Sequence, residues 1–167
     1  FSKALSGGAL RDAGSYAVYA IRFVMSAEPT HVIGYSHDSD NWGIDTTFAG
    51  TMKFNNGAIG NITTNMQQPF RCFITIHGSA GRIEIPNMFD DSGPIVIKKG
   101  DGRTSQDDQV IAVQAPNRFL VQLDEFTHCV LTGEKPEFPA EDGLANTTVL
   151  EALHESANSG ASVSLGT

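Results

Sequence analysis

Positive charge is scarce in this sequence: 11 Lys and Arg residues stand against 19 Asp and Glu residues, which gives a net charge of −8. Nucleic acids and anionic membranes are bound by basic surfaces, so this balance argues against both as partners. No apolar run approaches the ~18–20 residues that span a bilayer, and the first residues lack the long apolar segment of a signal peptide. We therefore expect a cytoplasmic protein that binds neither nucleic acid nor membrane.

Cysteine is also rare, and metal-ligand spacing is missing. Cys72 and Cys129 lie far apart in the chain, which favours two buried thiols in a reducing compartment. The segment at residues 37–43 contains one His and two Asp residues, but no second ligand cluster with useful spacing accompanies it. We interpret this segment as a solvated loop and expect no metal.

The phosphate-binding loop of dinucleotide-binding folds is absent too. That loop reads G-x-G-x-x-G between a strand and a helix. Residues 78–81 read G-S-A-G, with only two glycines, and they separate two predicted strands. We interpret them as a turn, so we expect no dinucleotide loop within these 167 residues.

The residues that are present are typical of one soluble globular domain with a core. Hydrophobic residues make up 40% of the chain and charged residues 18%. An apolar segment at residues 8–25 predicts a helix that ends before Pro29. Because this helix opens almost at the start of the sequence, we expect the chain to be the second half of a larger protein.

A series of strands follows the first helix. Residues 44–54 alternate strictly, with Phe48 and Met52 on one face and Thr47 and Lys53 on the other. An Asn-Asn-Gly turn at residues 55–57 predicts a hairpin. The other predicted strands cover residues 31–36, 58–66, 72–77, 82–85, 94–99 and 109–114. This pattern predicts a meander-like antiparallel sheet.

Two helices are predicted to close the chain. The first carries an apolar stripe from Phe119 to Leu131, and the second covers about residues 141–160, followed by a short, extended tail. The order predicts an α+β fold, an open and mostly antiparallel sheet with helices packed on one face. Both faces of the hairpin at residues 44–66 carry apolar or small residues. We therefore expect a second subunit to cover the other face, which makes the protein a homo-oligomer.

The first helix contains the main candidate site. Asp12 and Tyr16 are four residues apart, so an α-helix would display them on one face. An acid beside a phenol can serve proton transfer, and Gly14 leaves the backbone between them bare. The same residues could instead be a helix-terminal acid and a core aromatic, and spacing alone does not separate the two interpretations.

Several segments resemble one known family. G-G-A-L-R-D-A-G-S-Y at residues 7–16 resembles the G-G-x-L-x-D-x-G-x-[HY] segment of the glucose–fructose oxidoreductase/inositol dehydrogenase (Gfo/Idh/MocA) family. The hairpin at residues 48–58 is similar to its F-x-G-x-x-x-F-x-x-G-A segment, and residues 76–83 are similar to its G-x-x-G-x-[IL] turn. Residues 126–133, 139–143 and 156–160 resemble its closing helices. The resemblance extends over nearly the whole chain, in the family's order.

The resemblance implies the C-terminal, substrate-binding and oligomerisation domain of an NAD(P)-dependent dehydrogenase that acts on a sugar, polyol or related hydroxyl compound. In this family a Rossmann domain precedes it, binds NAD or NADP, and supplies a catalytic lysine in an E-K-P motif. Residues 134–136 spell E-K-P, but they lie in a loop between the last two helices, so we do not assign them this role. The isolated chain is expected to be inactive.

By the same resemblance, Asp12 and Tyr16 are catalytic residues beside the nicotinamide, and Gly14 lets the backbone approach the cofactor or substrate. A free phenol has a pKa near ~10, so Tyr16 would need a nearby cation, such as the family's lysine, to favour phenolate. Asp12 could orient that lysine or bind the substrate hydroxyl. Five other residues could contact substrate, but surface or packing roles explain them better: Arg22, Trp42, Arg71, His77 and Arg118. We interpret His128 and His154 as structural.

Two alternatives remain open at this point. The chain could be a non-catalytic, stand-alone module that dimerises or binds a ligand. It could also be a scaffold subunit for a separate chain that carries the cofactor.

Overall fold

A computed structural model describes residues 2–38, 42–89, 92–101 and 108–166. Part of the predicted polar loop, residues 39–41, lies outside the described residues. The chain divides into two compact units: the first unit is Phe1–Gln68 with Phe138–Thr167, and the second unit is Pro69–Glu137. The prediction of one domain over residues 1–167 stays a prediction.

The described residues form helices and strands in the predicted order. They are the 3₁₀-helix Lys3–Leu5, the π-helix Leu10–Gly14, α1 Ser15–Met25, β1 His31–Asp38, β2 Asp45–Lys53, β3 Ile59–Asn65, β4 Ile74–Gly78, β5 Gly81–Ile85, β6 Pro94–Lys99, β7 Gln109–Ala112, α2 Arg118–Thr132, α3 Ala140–Ser159 and β8 Val163–Ser164. The α+β class is confirmed. The strands are divided between two antiparallel sheets, where the sequence predicted one.

The first unit contains a four-stranded sheet in the order β3-β2-β1-β8. The predicted hairpin is β2 and β3, which pair from Thr47 with Asn65 to Lys53 with Ile59. The extended tail is β8, which pairs with the start of β1. The predicted alternation in β2 is confirmed, since Phe48 and Met52 are fully buried while Lys53 is exposed.

Helices α1 and α3 pack on the buried face of this sheet. The core combines Leu10 and Val18 from the first helical segment with Phe48 from β2 and Leu153 from α3. Gly34 in β1 allows a close approach, because a Cβ atom there would lie 2.8 Å from the Leu153 carbonyl oxygen. The sheet and α3 are therefore in direct backbone contact.

A buried arginine connects α1 to α3. Arg22 is 5% exposed, and its guanidinium pairs with Glu28 at 2.7 Å and with Asp142 at 2.9 Å. The hydrogen bond to Glu28 raises the pKa of Arg22, burial opposes that rise, and Asp142 adds to it. These contacts agree with the packing role that the sequence favoured for this residue.

The second unit contains the sheet β4-β5-β6-β7, a meander of neighbouring antiparallel strands. Gly78 and Gly81 face each other at the end of the β4–β5 hairpin, which confirms the predicted turn. Helix α2 begins after Asn117, whose side chain accepts the Phe119 N–H at 2.9 Å, and it ends at Gly133 with φ +76°. The predicted apolar stripe is exposed on α2, with Phe119 67% and Phe126 60% exposed.

Candidate functional site

The candidate site begins with a tight backbone turn at Gly8. Its φ of +138° lies in a region that favours glycine. Space also requires glycine, because an added Cβ atom would lie 1.9 Å from Oδ1 of Asp45. The other oxygen of that carboxylate, Oδ2, accepts the Leu10 N–H at 2.7 Å. The chain therefore enters the helical segment directly against the Asp45 carboxylate of β2.

The segment that follows starts as a π-helix. The sequence predicted an α-helix over residues 8–25, but residues Leu10–Gly14 form a π-helical turn and α1 begins at Ser15. Single π-helical turns are rare and frequently occur at functional sites. Asp12 and Gly14 therefore lie in the π-helix, and Tyr16 lies in the first turn of α1.

Asp12 and Tyr16 are both on the surface of the first unit. Tyr16 is 53% exposed, and the Asp12 side chain is exposed as well. The Asp12 backbone is fixed, since its N–H donates to the Gly8 carbonyl at 3.0 Å and its carbonyl accepts the Ser15 hydroxyl at 2.7 Å. The structure thus presents an acid and a phenol to solvent on an ordered backbone.

Gly14 is buried, in contrast to its neighbours. An added Cβ atom at this position would lie 3.0 Å from Leu10 Cδ1 and 3.5 Å from the Ala9 carbonyl oxygen. Close packing inside the π-helix is therefore one physical reason for glycine here. Its predicted role beside the cofactor stays a prediction.

Helix α3 also holds the segment. Glu151 pairs with Arg11 at 2.8 Å. Asn146 donates to the Ser15 carbonyl at 3.2 Å and accepts a hydrogen bond from Arg22 at 3.3 Å. The junction between the π-helix and α1 is thus tied to an element that lies more than 120 residues away in the sequence.

Asp45, Asn146 and Glu151 were not among the sequence candidates. The alternation over residues 44–54 places Asp45 on the same face as Thr47 and Lys53, but it is only 9% exposed. Burial raises the pKa of its carboxyl, and the negative charge of Asp38 raises this pKa further. Hydrogen bonds from the N–H groups of Leu10 and of Asp45 itself, and the charge of His154, act in the opposite direction. The local signal for it was that Asp45 is the one acidic residue of β2.

The remaining candidates are spread over the chain. In the second unit, the Arg71 guanidinium lies 4.5 Å from the Phe73 ring centroid, and Arg118 donates to the Phe89 carbonyl at 2.7 Å. His77 is exposed near the β4–β5 turn, and His128 contacts Glu134 at 3.2 Å. Arg22, Trp42 and His154 belong to the first unit. Arg22 is connected to the segment that carries Asp12 and Tyr16 through Asn146, which bonds both Arg22 and the Ser15 carbonyl.

The described residues offer neither a metal site nor a membrane span. No group of three or more His, Cys, Asp or Glu side chains in residues 2–38, 42–89, 92–101 and 108–166 is arranged to hold a metal ion. Within the same ranges, none of the helices combines the length and the apolar character needed to cross a membrane.

Comparison with known proteins gives a family match over almost the entire chain. Residues 2–165 match the family described as "Oxidoreductase family, C-terminal alpha/beta domain". The chain is 26% identical over 164 residues to a D-xylose 1-dehydrogenase (NADP(+)) of Haloferax volcanii, which covers 96% of this chain and 49% of that protein. It is 24% identical over 159 residues to dTDP-3,4-didehydro-2,6-dideoxy-alpha-D-glucose 3-reductase of Actinomadura kijaniata, with 92% of this chain and 46% of that protein covered.

Solved structures show the same fold. Aldose-aldose oxidoreductase from Caulobacter crescentus, complexed with glycerol, superposes with a TM-score of 0.82 at 26% identity, covering 95% of this chain and 48% of that one. KijD10, a 3-ketoreductase from Actinomadura kijaniata in complex with NADP and TDP-benzene, gives 0.80 at 21% identity, with 90% and 46% covered. The chain spans about half the length of the curated relatives it matches. Because the family match extends over residues 2–165, the chain belongs to the Gfo/Idh/MocA family of oxidoreductases and corresponds to its C-terminal alpha/beta domain.

Proposed function

We propose that this chain is the substrate-binding and oligomerisation half of an NAD(P)-dependent dehydrogenase that acts on a sugar, a polyol or a related hydroxyl compound. The observation that carries the proposal is the exposed pair Asp12 and Tyr16 on a helical segment whose backbone is fixed by β2 and α3. The names of the relatives support the substrate class, since they include a xylose dehydrogenase and an aldose-aldose oxidoreductase.

The cofactor would be NAD or NADP, bound mainly by a part of the protein outside this chain. Gly78 and Gly81 face each other across a β-hairpin, so they do not form the strand–loop–helix that binds a pyrophosphate. When bound, the nicotinamide would accept the hydride from the substrate carbon. Gly14 is proposed as a cofactor-contact residue from its place in the motif, although the structure buries it against Leu10.

This chain would handle the proton of the reaction. Oxidation of a secondary alcohol requires removal of the hydroxyl proton as the hydride leaves, and a positioned side chain speeds this step by about 10²–10⁴-fold. Tyr16 would accept that proton as its phenolate, the form that a neighbouring cation favours. Arg11 is paired with Glu151 and Arg22 is buried between two carboxylates, so neither is proposed as this cation. The family's lysine would supply it from outside the chain. Asp12 would bind the substrate hydroxyl or orient that lysine.

Kinetics of the full-length protein test this assignment. Turnover of aldoses and polyols is measured with NAD and with NADP for the wild type, Asp12→Asn and Tyr16→Phe. Each variant is expected to lower kcat by about 100-fold or more, the range for a lost proton-transfer group. Two variants serve as matched controls. Asp124→Asn changes an exposed acid on α2, and Tyr19→Phe changes a phenol on α1, the helix of Tyr16, whose ring stacks on Phe23. Both controls are expected to keep kcat within about twofold of wild type.

Wild-type kcat in Asp12→Asn and Tyr16→Phe would contradict the assignment. A full-length protein that turns over none of these substrates and yet assembles normally would favour the stand-alone module instead.

The outer face of the first unit's sheet is the proposed oligomer contact. Tyr35 is 65% and Ile59 is 61% exposed on it, and a shallow open groove runs between small and polar residues that include Ala49, Thr51 and Asn61. A second copy of the chain would cover this face, and a stable contact needs about 800 Å² from each partner.

Sedimentation of the full-length protein tests this contact. The wild type is expected to sediment as an oligomer, and Ile59→Glu is expected to dissociate because it buries an unpaired charge. Leu144→Glu, at an apolar residue of α3 that is 68% exposed, serves as the control and should leave the oligomer intact. A monodisperse wild-type monomer would overturn the proposal.

A further inference from the structure

Asp45 makes an unusual contact for a strand residue of this unit. It is the first residue of β2 and is 9% exposed, and its carboxylate accepts the Leu10 N–H at 2.7 Å. Leu10 opens the π-helix, and the first N–H groups of a helix have no partner within it. A side chain that is 35 residues away in the sequence therefore supplies the acceptor.

The second carboxylate oxygen of Asp45 lies against the Gly8 backbone. Oδ1 lies so close to Gly8 that an added Cβ atom there would be only 1.9 Å away. The Gly8 carbonyl in turn accepts the Asp12 N–H at 3.0 Å. One side chain thus contacts the backbone at residues 8 and 10, and Gly8 in turn accepts the hydrogen bond of Asp12.

We propose that Asp45 is a positioning residue for the reaction, whose carboxylate fixes the backbone at residues 8–10 so that Asp12 and Tyr16 keep their place against the substrate. This inference rests on the proposed function of Asp12 and Tyr16. Asp45 is too buried to touch the substrate itself, so its effect is exerted through the backbone. Misplacement of a reacting group by about 1 Å can cost about 10²-fold in rate, which gives such a residue a measurable effect.

The test compares Asp45→Ala with Ser156→Ala in the full-length protein. Ser156 is a matched control because it is also buried and its hydroxyl accepts one main-chain hydrogen bond, from the Gly34 N–H at 3.0 Å. It lies at the opposite end of α3 from Asn146. Both variants lose a buried acceptor, but only Asp45→Ala releases the segment that carries Asp12. Circular dichroism confirms that each variant is folded at the assay temperature, and kcat and KM are then measured.

Asp45→Ala is expected to lower kcat at least tenfold, with the KM for the cofactor within about twofold of wild type. Ser156→Ala is expected to keep kcat within about twofold. Asp45→Asn keeps an acceptor oxygen for Leu10 and is expected to recover most of the lost kcat, to about threefold below wild type. Equal kcat for Asp45→Ala and Ser156→Ala would overturn the inference. If Asp45→Ala does not fold, Asp45→Leu, which has a similar branched shape but no acceptor oxygen, is compared with Ser156→Ala, and equal kcat values again overturn the inference.

Asp12→Asn and Tyr16→Phe in the same assay separate the two proposals. If these variants retain wild-type kcat, the proposed function has failed and Asp45 has no catalytic pair to position. If they lose activity while Asp45→Ala matches its control, only the positioning role is wrong. Hydrogen exchange at residues 9–16 gives an independent readout, and faster exchange in Asp45→Ala than in Ser156→Ala is expected.

Discussion

Replacement of Gly8 by alanine adds only one methyl group, but it is expected to destabilise the first unit strongly. Two separate effects act at this residue. Alanine is strained at a φ of +138°, and its methyl group would lie 1.9 Å from the Asp45 carboxylate oxygen. The carboxylate must therefore move, and its hydrogen bond to the Leu10 N–H is then lost or weakened.

The magnitude follows from these two effects. The strained backbone costs about 1–3 kcal/mol. The buried hydrogen bond adds about 1–3 kcal/mol, because an N–H and a carboxylate oxygen are left without their partners. Gly57 is the matched control, since its φ is also positive, at +85°, and nothing lies within 4 Å of an added Cβ atom. Gly57→Ala should thus show the backbone cost alone, and Gly8→Ala should exceed it by about 1–3 kcal/mol.

For both variants, the free energy of opening of peptides from β2 is measured by hydrogen exchange of the full-length protein at increasing urea concentration. A double-mutant cycle then isolates the contact. In the Asp45→Ala background the methyl group meets no carboxylate, so Gly8→Ala should cost no more than Gly57→Ala. If Gly8→Ala costs the same with and without the Asp45 side chain, the steric explanation is wrong.

Three further predictions concern stability. The pKa of the buried Asp45 carboxyl is raised, so the folded state holds this proton more tightly than the unfolded state does, and stability falls as pH rises from about 4, the unfolded value, through the raised pKa. In thermal melts, Asp45→Asn should therefore gain stability relative to wild type over that pH range. A difference in stability that does not vary with pH would refute this prediction. Arg22→Met should lower the free energy of unfolding by about 1–3 kcal/mol in denaturant titrations, because hydrogen bonds to two carboxylates are lost while those partners stay partly exposed to water. Gly34→Ala should lower the free energy of unfolding by about 1–3 kcal/mol by overpacking against the Leu153 carbonyl. Gly143→Ala, in α3 with open space around it, should instead raise it by up to about 1 kcal/mol. A Gly34→Ala protein with the melting temperature of the wild type would show that the close packing is not required.

The parts of the fold that depend on local pattern were predictable from the sequence. Alternation placed Phe48 and Met52 on the buried face of β2, and the structure confirms it. Apolar spacing predicted α2 and α3 closely, because the helix period is a property of neighbouring residues. The division of the strands between two sheets was not predicted, since alternation within each strand does not report that β3 and β4, although consecutive, belong to different sheets.

The candidate site was predicted only in part. The motif identified Asp12 and Tyr16, which the structure shows as exposed residues of one short segment, and their catalytic role stays a prediction. The π-helical turn was missed because it depends on contacts with β2 and α3, which lie from 35 to more than 100 residues away. A hydrophobic period measured in one segment cannot report an acceptor that another segment supplies.

The cross-connections of the first helical segment also determine when it can be completed during synthesis. A chain grows from its N-terminus, so residues 8–16 leave the ribosome before the strands and helices that hold them. Their partners follow: Asp45 with β2, and much later Asn146 and Glu151 with α3, close to the end of the sequence. The nascent segment can therefore gain its contact with Asp45 early, but it lacks the contacts with Asn146 and Glu151 until most of the 167 residues have emerged. The full set of contacts that fixes the geometry proposed for chemistry is complete only when α3 has been made.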